Sequence, residues 1–254
     1  MKKPLILVCN DDGVNAPGIR SLIEATRDLG KMIVVAPDKP QSGTGHGITI
    51  NSTLRLNKLE SEENFEVYSC SGTPVDCIKL AIYKMLPQKP DIVISGINHG
   101  SNASINVIYS GTMSAAVEGS IEGVPSIGFS LLDFDINADF SASKIIARKI
   151  TQQVLKAGLP KGVCLNVNIP KLPHNELMGM KICRQAEGNW EEEFEARVDP
   201  MGKEYFWLTG TFKNYDLRKD TDIWALENNF VSIVPIQHDL TAHVALDELK
   251  NWKL

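Results

Sequence analysis

The sequence predicts an α/β fold: a Rossmann-like, doubly wound sheet whose strands are mostly parallel. Short and wholly apolar runs such as Leu5–Cys9 are typical of strands buried on both faces of a parallel sheet. These runs alternate with helical patterns over the first two-thirds of the chain, which is the order of repeated βα units. The chain has 254 residues, of which 43% are hydrophobic and 22% are charged, so it can bury a full core.

The chain opens with a predicted βαβ unit. Leu5–Cys9 forms the first strand, and a helical pattern follows over Pro17–Leu29, with Asn15 available as its cap. Gly30 ends this helix, and Met32–Ala36 is a second apolar strand. Because this is a βαβ unit, we expect a right-handed connection and two parallel strands.

An antiparallel excursion is predicted next. After a loop over residues 37–47, both Ile48–Leu56 and Phe65–Ser69 alternate apolar and polar side chains, as half-buried strands do. Thr73-Pro74-x-Asp76 then begins a helix with a near capping box, and the helical pattern runs to about Met85. The chain thereby returns to its alternation of strands and helices.

The remaining elements follow in two stages. The pattern predicts, in order, a strand at Ile92–Ser95, a helix over Thr112–Glu122, a strand at Ser126–Ser130, a helix over 140–157 and a strand at Val163–Ile169. After Pro170 the alternation stops, and short strand-like pieces in 171–218 predict an extended C-terminal hairpin used in oligomerisation. A helix near 220–229, a strand at Val231–Ile236 and a terminal helix complete a single domain of residues 1–254, with its core at about 1–170 and 219–254.

Charge and composition exclude several classes of protein. The net charge is −5, from 31 acidic against 26 basic residues, so there is no long-range attraction for nucleic-acid polymers or anionic membranes. No stretch approaches membrane-spanning length, and the apolar run after Met1 is too short for a signal peptide, so we expect a cytoplasmic protein. The five cysteines form no C-x-x-C pair, which argues against a disulfide framework or a thiolate zinc site.

Polar loops follow three of the predicted strands and should meet at one edge of the sheet. The first contains two adjacent carboxylates, Asp11 and Asp12, with no Lys or Arg nearby in the sequence. Such a pair at a buried strand end is costly unless a cation neutralises it. With Ser42 and Asn98 from the other two loops, it forms an all-oxygen ligand set that suits one divalent ion such as Mg²⁺ or Mn²⁺. The alternative is that Asp-Asp-Gly only makes a turn before the helix.

A candidate phosphate site lies before the helix that starts near Thr112. Backbone N–H groups at a helix N-terminus, with the hydroxyls of Ser110 and Thr112 beside Gly111, can cradle a phosphate, and Asn102 could add an amide donor. The alternative is that Ser110 or Thr112 is an ordinary helix cap. A cation site and an anion site on one sheet edge together predict phosphoryl chemistry, with metal-activated water attacking in line.

Other signals are weaker or absent. His46 could contact substrate or protonate a leaving oxygen, or it could be a solvated loop histidine. The aromatic run Tyr205–Trp207 favours a core or an interface over a platform for base stacking. The sequence has no P-loop, no G-x-G-x-x-G after the first strand and no G-x-S-x-G elbow, which argues against P-loop kinases, dinucleotide dehydrogenases and the usual α/β-hydrolases.

At these loops the chain closely resembles the SurE family, the survival-protein-E type 5′-nucleotidases. The matching segments are Asn10-Asp11-Asp12-Gly13; Val35-Ala36-Pro37-Asp38 with Ser42-Gly43; Gly72-Thr73-Pro74-x-Asp76-Cys77; Ser95-Gly96-Ile97-Asn98-x-Gly100-x-Asn102; Tyr109-Ser110-Gly111-Thr112; and Leu165-Asn166-Val167-Asn168-Ile169-Pro170. The resemblance is dense from about residue 5 to 170, thin from 171 to 218, and returns in the tail. Departures at Ser104, Met113, Val234 and Ile236 touch no proposed ligand.

The resemblance implies a function and a set of roles. Family members release phosphate from nucleoside 5′- and 3′-monophosphates, some also degrade short polyphosphate, and they use a divalent cation and form homodimers or homotetramers. By position, the metal ligands would be Asp11, Asp12, Ser42 and Asn98, with Asp11 and Asp12 also catalytic. The phosphate or substrate side would contain Gly43, His46, Asn102, Ser110, Gly111 and Thr112.

Two alternative functions make different demands on the sequence. A haloacid-dehalogenase-type phosphatase needs Asp-x-Asp, whereas here Gly13 stands two residues after Asp11. A non-catalytic nucleotide sensor on the same fold would need the phosphate cradle but not the paired acids. In a sensor, Asp11→Asn would leave ligand binding largely intact.

Overall fold

The computed structural model describes residues 3–252, and Met1, Lys2, Lys253 and Leu254 of the predicted domain lie outside the described residues. Within that range a mixed sheet of nine strands carries helices on both faces, and a separate two-stranded hairpin extends from it. The predicted α/β class, with a mostly parallel sheet and an extended hairpin, is confirmed.

The elements follow the alternation that the sequence predicts. The strands are β1 (Leu5–Cys9), β2 (Lys31–Pro37), β3 (Leu56–Glu62), β4 (Phe65–Cys70), β5 (Ile92–His99), β6 (Ser126–Leu131), β7 (Val163–Ile169), β8 (Met180–Ile182), β9 (Gly188–Val198), β10 (Glu204–Asn214) and β11 (Val231–Gln237). The helices are α1 (Pro17–Thr26), α2 (Pro74–Leu80), α3 (Gly111–Ile121), α4 (Ser141–Ala157), α5 (Asp222–Glu227) and α6 (Leu246–Leu249). The 3₁₀ turn Arg27–Leu29 extends α1, and the π-turn Ala81–Met85 extends α2.

The strand order places a topological switch point beside β1. The sheet runs β3-β4-β2-β1-β5-β6-β7-β11-β8, so the chain leaves β1 toward one side and later returns to its other side as β5. The pairs from β4 across to β7 are parallel, and β11 runs antiparallel to β7. In open α/β sheets, ligands bind beyond the carboxyl ends of the strands at such a reversal. The loop after β1 occupies that position.

The core is divided between the two faces of the sheet. Ile6 and Val8 of β1 pack toward the side that holds α1 and α4, whereas Leu5, Leu7 and Cys9 pack toward α2. This alternation is the two-residue period of a strand, and both sets are buried because helices cover both faces. All five cysteines are buried and free, and they pack as small apolar side chains.

The predicted strand at Ile48–Leu56 is wrong. The strand here, β3, begins only at Leu56, and residues 48–55 join no sheet. The reason is a side chain distant in sequence: Asp76 accepts hydrogen bonds from the backbone N–H of Thr49 at 3.0 Å and from its hydroxyl at 2.6 Å. The segment is therefore fixed to α2 instead of a neighbouring strand, and the antiparallel excursion is limited to β3 with β4.

The two predicted helix caps have different outcomes. Thr73 and Asp76 form a full capping box at the start of α2, with Thr73 Oγ1 accepting from the backbone N–H of Asp76 at 3.2 Å. Asn15, by contrast, does not cap α1, because its Oδ1 accepts from Arg20 at 3.3 Å and Ala16 takes the cap position. The predicted terminal helix is a single turn, α6.

Candidate functional site

The acidic pair follows β1 at the switch point and differs in burial. Asp11 is only 3% exposed, and its Oδ1 accepts a 2.5 Å hydrogen bond from the hydroxyl of Thr112. Asp12 is partly exposed, and its Oδ2 lies 3.4 Å from the backbone N and 3.6 Å from Nδ1 of His99. Within residues 3–252 neither carboxylate pairs with a Lys or an Arg. Two acids therefore share a buried strand end without a permanent cationic partner.

The electrostatics of Asp11 follow from that arrangement. Burial, with the nearby charge of Asp12 as a second cause, raises the pKa of Asp11 to about 6, although the hydrogen bond from Thr112 acts in the opposite direction. The side-chain oxygen of Asn10 and Nε2 of His99 are also buried with no hydrogen-bond partner among the described residues. A bound cation with its water would relieve the charge and supply partners for such atoms.

Asn98 presents a free carbonyl oxygen to the same place. The ladder between β5 and β6 is irregular between Ser95 and Asn98, and such bulges re-aim side chains near active sites. The amide nitrogen of Asn98 donates to the carbonyls of His99 at 3.1 Å and Gly100 at 2.9 Å. Since the nitrogen is turned toward its own loop, the oxygen is the atom left to act as a ligand.

The loop after β2 contributes Ser42 and Gly43 to the cavity beside Asp11 and Asn98. Both residues are exposed, and Gly43 has φ of +73°, in the region that favours glycine. In residues 3–252 no group of three or more His, Cys, Asp or Glu side chains is placed to hold a metal. A cation at this edge would therefore have two carboxylates and two neutral oxygens as its candidate protein ligands.

The N-terminus of α3 lies directly against Asp11. Ser110 is the N-cap, with its Oγ accepting from the backbone N–H of Met113 at 3.0 Å, so the ordinary capping role holds for this residue. Ser110 also lines the cavity. A Cβ on Gly111 would lie 2.6 Å from Cβ of Asp11, so only glycine allows this approach of helix and carboxylate. The candidate cation and anion sites are thus in direct contact.

Asn102 is held by a buried amide network. Its backbone N–H donates to Oδ1 of Asn168 at 2.8 Å, and its amide nitrogen donates to Ser130 Oγ at 2.8 Å. Asn166 in turn donates to the backbone carbonyl of Asn102 at 2.8 Å. The network comes from β6 and β7, and its only trace in the sequence is the Asn-Val-Asn alternation at 166–168. Asn102 lines the cavity with a fixed orientation.

His46 lies outside the lining of this cavity. Its Nε2 is 2.8 Å from Oε2 of Glu118, a residue of α3 that is 2% exposed and also pairs with Lys79 at 2.6 Å. Burial opposes ionisation of Glu118, but the hydrogen bonds from His46 and Lys79 outweigh it and hold the pKa of this carboxyl below its usual range. In this structure His46 therefore joins its loop to α3.

The hairpin supplies a wall of the cavity that the sequence did not indicate. The cavity has a volume of roughly 860 Å³, and Asp11, Asn98 and Ser110 line it together with Trp190 of β9 and Phe212 of β10. The alternation of apolar residues along β9 and β10 was the available signal, but it does not reveal what the hairpin faces. A polar edge and an apolar wall in one cavity suit a ligand that joins a phosphate to a flat apolar group.

Comparisons with known proteins show the family of this chain. The family described as survival protein SurE matches residues 6–192. The 5′-nucleotidase SurE of Flavobacterium psychrophilum is 62% identical over 100% of this chain and 99% of its own, and that of Christiangramia forsetii is 60% identical over 100% and 98%. The crystal structure of the SurE protein from Aquifex aeolicus superposes with a TM-score of 0.84 at 38% identity, covering 97% of this chain and 98% of that one.

Proposed function

Since this chain belongs to the SurE family, we propose that it is a 5′-nucleotidase that requires a divalent metal to release phosphate from nucleoside 5′-monophosphates. Full-length relatives named 5′-nucleotidase support the reaction class. The observation that carries the metal requirement is Asp11, a buried carboxylate beside a second carboxylate with no Lys or Arg partner in the described residues. A bound cation would offset the cost of keeping such a pair ionised.

The proposed metal ligands are oxygen atoms of Asp11, Asp12, Ser42 and Asn98. Carboxylate, hydroxyl and amide oxygens fit one hard ion, Mg²⁺ or Mn²⁺, better than they fit Zn²⁺. Thr112 engages one oxygen of Asp11, and within residues 3–252 the other accepts no side-chain hydrogen bond. When bound, a divalent cation would supply neutralisation of the phosphoryl oxygens and a lowered pKa for a water molecule.

On the phosphate side, we assign Gly43, Asn102, Ser110, Gly111 and Thr112 to binding and orienting the substrate. The first N–H groups of α3 lack intrahelical acceptors and point toward this edge, and the helix dipole favours an anion there. The amide network of Asn166 and Asn168 keeps Asn102 in place. We also assign His46 to the substrate side; in this structure its Nε2 is 2.8 Å from Oε2 of Glu118.

The proposal extends to further substrates and to assembly. Nucleoside 3′-monophosphates and short polyphosphate carry the same phosphoryl group, so the same edge could accept them.

We propose a homodimer or homotetramer formed through the hairpin, because one face of that hairpin is apolar and exposed. Phe194 and Val198 of β9 lie across from Leu208 and Glu204 of β10, with Phe206 between them. Nucleic-acid polymers and membranes are not proposed as partners.

We propose that residues 1–254 form one domain, since β11 and β8 from the last third of the chain complete the same sheet as β1. We propose a cytoplasmic location. In residues 3–252 the helices are all too short or too polar to cross a membrane.

The direct test is phosphate release from a panel of nucleoside monophosphates, first with EDTA and then with added Mn²⁺ or Mg²⁺. We expect release only after metal is restored, and loss of both metal binding and turnover in Asp11→Asn. If the folded protein binds nucleotide but releases phosphate with neither metal, the nucleotidase proposal fails and the sensor takes its place. Release that persists unchanged in EDTA after exhaustive dialysis would refute the metal requirement alone.

A further inference from the structure

The aromatic wall of the cavity includes one polar side chain in a fixed orientation. Trp190 and Phe212 pair across the hairpin, with ring centroids 5.9 Å apart and an interplanar angle of 66°. Beside them lies Asn106, in the 3₁₀ turn that precedes α3, and it too lines the cavity. A flat ring that lies against this wall would therefore present its edge near an amide.

Trp190 determines which way that amide faces. Its Nε1 donates a 2.8 Å hydrogen bond to Oδ1 of Asn106. Because an indole N–H can only donate, the atom that it contacts must be the amide oxygen, which fixes the positions of oxygen and nitrogen. The amide nitrogen of Asn106 donates to no acceptor in residues 3–252, so it remains available to a ligand.

The backbone around this pair is tied to the rest of the molecule. Asp222 at the start of α5 is buried, and its carboxylate accepts from the backbone N–H of Ser104 at 2.8 Å and from that of Ala186 at 2.9 Å. The hydroxyl of Ser104 also donates to the carbonyl of Ala186 at 2.9 Å. These bonds join the chain two residues before Asn106 to the chain four residues before Trp190, so the amide is preorganised.

We propose that Asn106, oriented by Trp190, reads the edge of a purine base and favours a 6-oxo purine over a 6-amino purine. This inference rests on the proposed nucleotidase function. Guanine and hypoxanthine present a carbonyl acceptor where adenine presents an amino donor. A fixed N–H₂ group donates to the carbonyl, whereas the amino group of adenine meets it donor to donor. An unrestrained asparagine pairs with adenine through both oxygen and nitrogen, but here the oxygen is directed at the indole.

The test compares 5′-IMP with 5′-AMP, whose bases differ at the 6-position and its neighbouring ring proton, in equilibrium binding and in kcat/KM with Mn²⁺. We expect the protein to favour 5′-IMP by about fivefold, the value of one hydrogen bond. Trp190→Phe keeps an aromatic ring but frees the amide to turn, so the ratio should fall toward one. Asn106→Asp replaces the donor with an acceptor, so the preference should reverse.

Trp207→Phe is the matched control, because it makes the same chemical change on the opposite face of the hairpin, outside the cavity. It should keep the wild-type ratio. Ratios within one protein are insensitive to the fraction that is folded. Equal binding of the two nucleotides, or a ratio that neither Trp190→Phe nor Asn106→Asp changes, overturns the inference even if phosphate is released. Base-selective binding without phosphate release would uphold it while refuting the nucleotidase proposal.

Discussion

At the scale of single residues, the burial of Asp11 lowers the stability of the protein whenever its carboxylate is ionised. Its carboxylate is buried next to Asp12, and burial raises its pKa to about 6 from the ordinary 3.8. Because the pKa of Asp11 is higher in the folded than in the unfolded protein, the folded state binds the proton of Asp11 more tightly. The stability that this proton contributes is therefore present in full below about pH 4 and is lost as the pH rises through about 6.

The first prediction concerns Asp11→Asn in metal-free protein. An asparagine oxygen can still accept from Thr112, but it carries no charge, so at pH 8 the free energy of unfolding should rise by roughly 1–3 kcal/mol, since one pKa unit corresponds to about 1.4 kcal/mol. At pH 4 the variant should gain little. Urea unfolding with EDTA at both pH values measures this. The exposed Asp38→Asn serves as control, and a pH-independent effect at position 11 would count against the argument.

A second prediction separates the effect of the Thr112 hydroxyl from the effect of the side chain's shape. Thr112→Val keeps the branched side chain but removes the donor to Asp11. Partners of this kind typically change metal affinity by about 10- to 100-fold, so Mn²⁺ affinity and turnover at limiting metal should both fall by roughly 10-fold or more. Titration of activity with Mn²⁺ measures both. Thr112→Ser retains the hydroxyl and should stay close to wild type; equal losses in the two variants would point to packing instead.

At the scale of elements, Glu118 connects α3 to two neighbours. It accepts from Lys79, which lies in the last turn of α2, and from His46, which lies in the loop after β2. The carboxylate is buried while both partners are partly exposed, so solvent screens much of the interaction. Its lowered folded pKa means that this stability is present above the unfolded value of 4.5 and is lost as the pH falls below it.

The third prediction follows for Glu118→Gln. At pH 7 the variant should lose about 1–2 kcal/mol of stability, because Lys79 and His46 would face a neutral amide in place of a carboxylate. At acidic pH, where Glu118 is protonated in the wild type, the difference should shrink. Urea unfolding as a function of pH checks the slope. Glu24→Gln, in an exposed pair with Lys144, should change stability by less than about 1 kcal/mol at every pH.

The hairpin formed by β9 and β10 has two unlike faces. One face carries Glu191, Glu193 and Glu195 beside Tyr205 and Trp207, and the other carries mainly apolar side chains that include Phe194 and Phe206. The two-residue period of a strand produces this separation. The acidic face suits solvent, and the apolar face suits burial against another copy of the chain.

The fourth prediction belongs to the whole molecule. If the apolar hairpin face joins two copies, Phe206→Glu should lower the molar mass measured by light scattering toward that of one chain of 28.0 kDa. Trp207→Glu introduces the same charge on the opposite face and should leave the mass unchanged. An assembly that both variants preserve would place the contact elsewhere.

Across the molecule, what the sequence could predict depended on the range of the interaction. Buried strands such as β1 and β7 were predicted almost to the residue, because a run of apolar side chains is a local signal. Residues 48–55 were not, because the carboxylate that fixes Thr49 lies 27 positions away. The same limit applies to His46, whose partner is 72 positions distant.

Predictions about the candidate site depended on sequence range in the same way. Asp11, Ser42 and Asn98 were expected to meet because parallel strands end at a common edge, and the structure brings these side chains to one cavity. Their roles as ligands stay predictions. The aromatic wall of Trp190 and Phe212 was not foreseen, since periodicity along a hairpin identifies its faces but not the element that each face meets.

The position of β11 has a consequence for synthesis on the ribosome. This strand lies between β7 and β8, yet it follows both of them in the chain. While residues 231–237 are still being made, the newly formed β7 has an open edge where its antiparallel partner belongs, and unpaired edges recruit other strands. The nascent chain must therefore shield that edge until its final segment emerges, and stalling shortly before residue 231 should favour aggregation or chaperone capture.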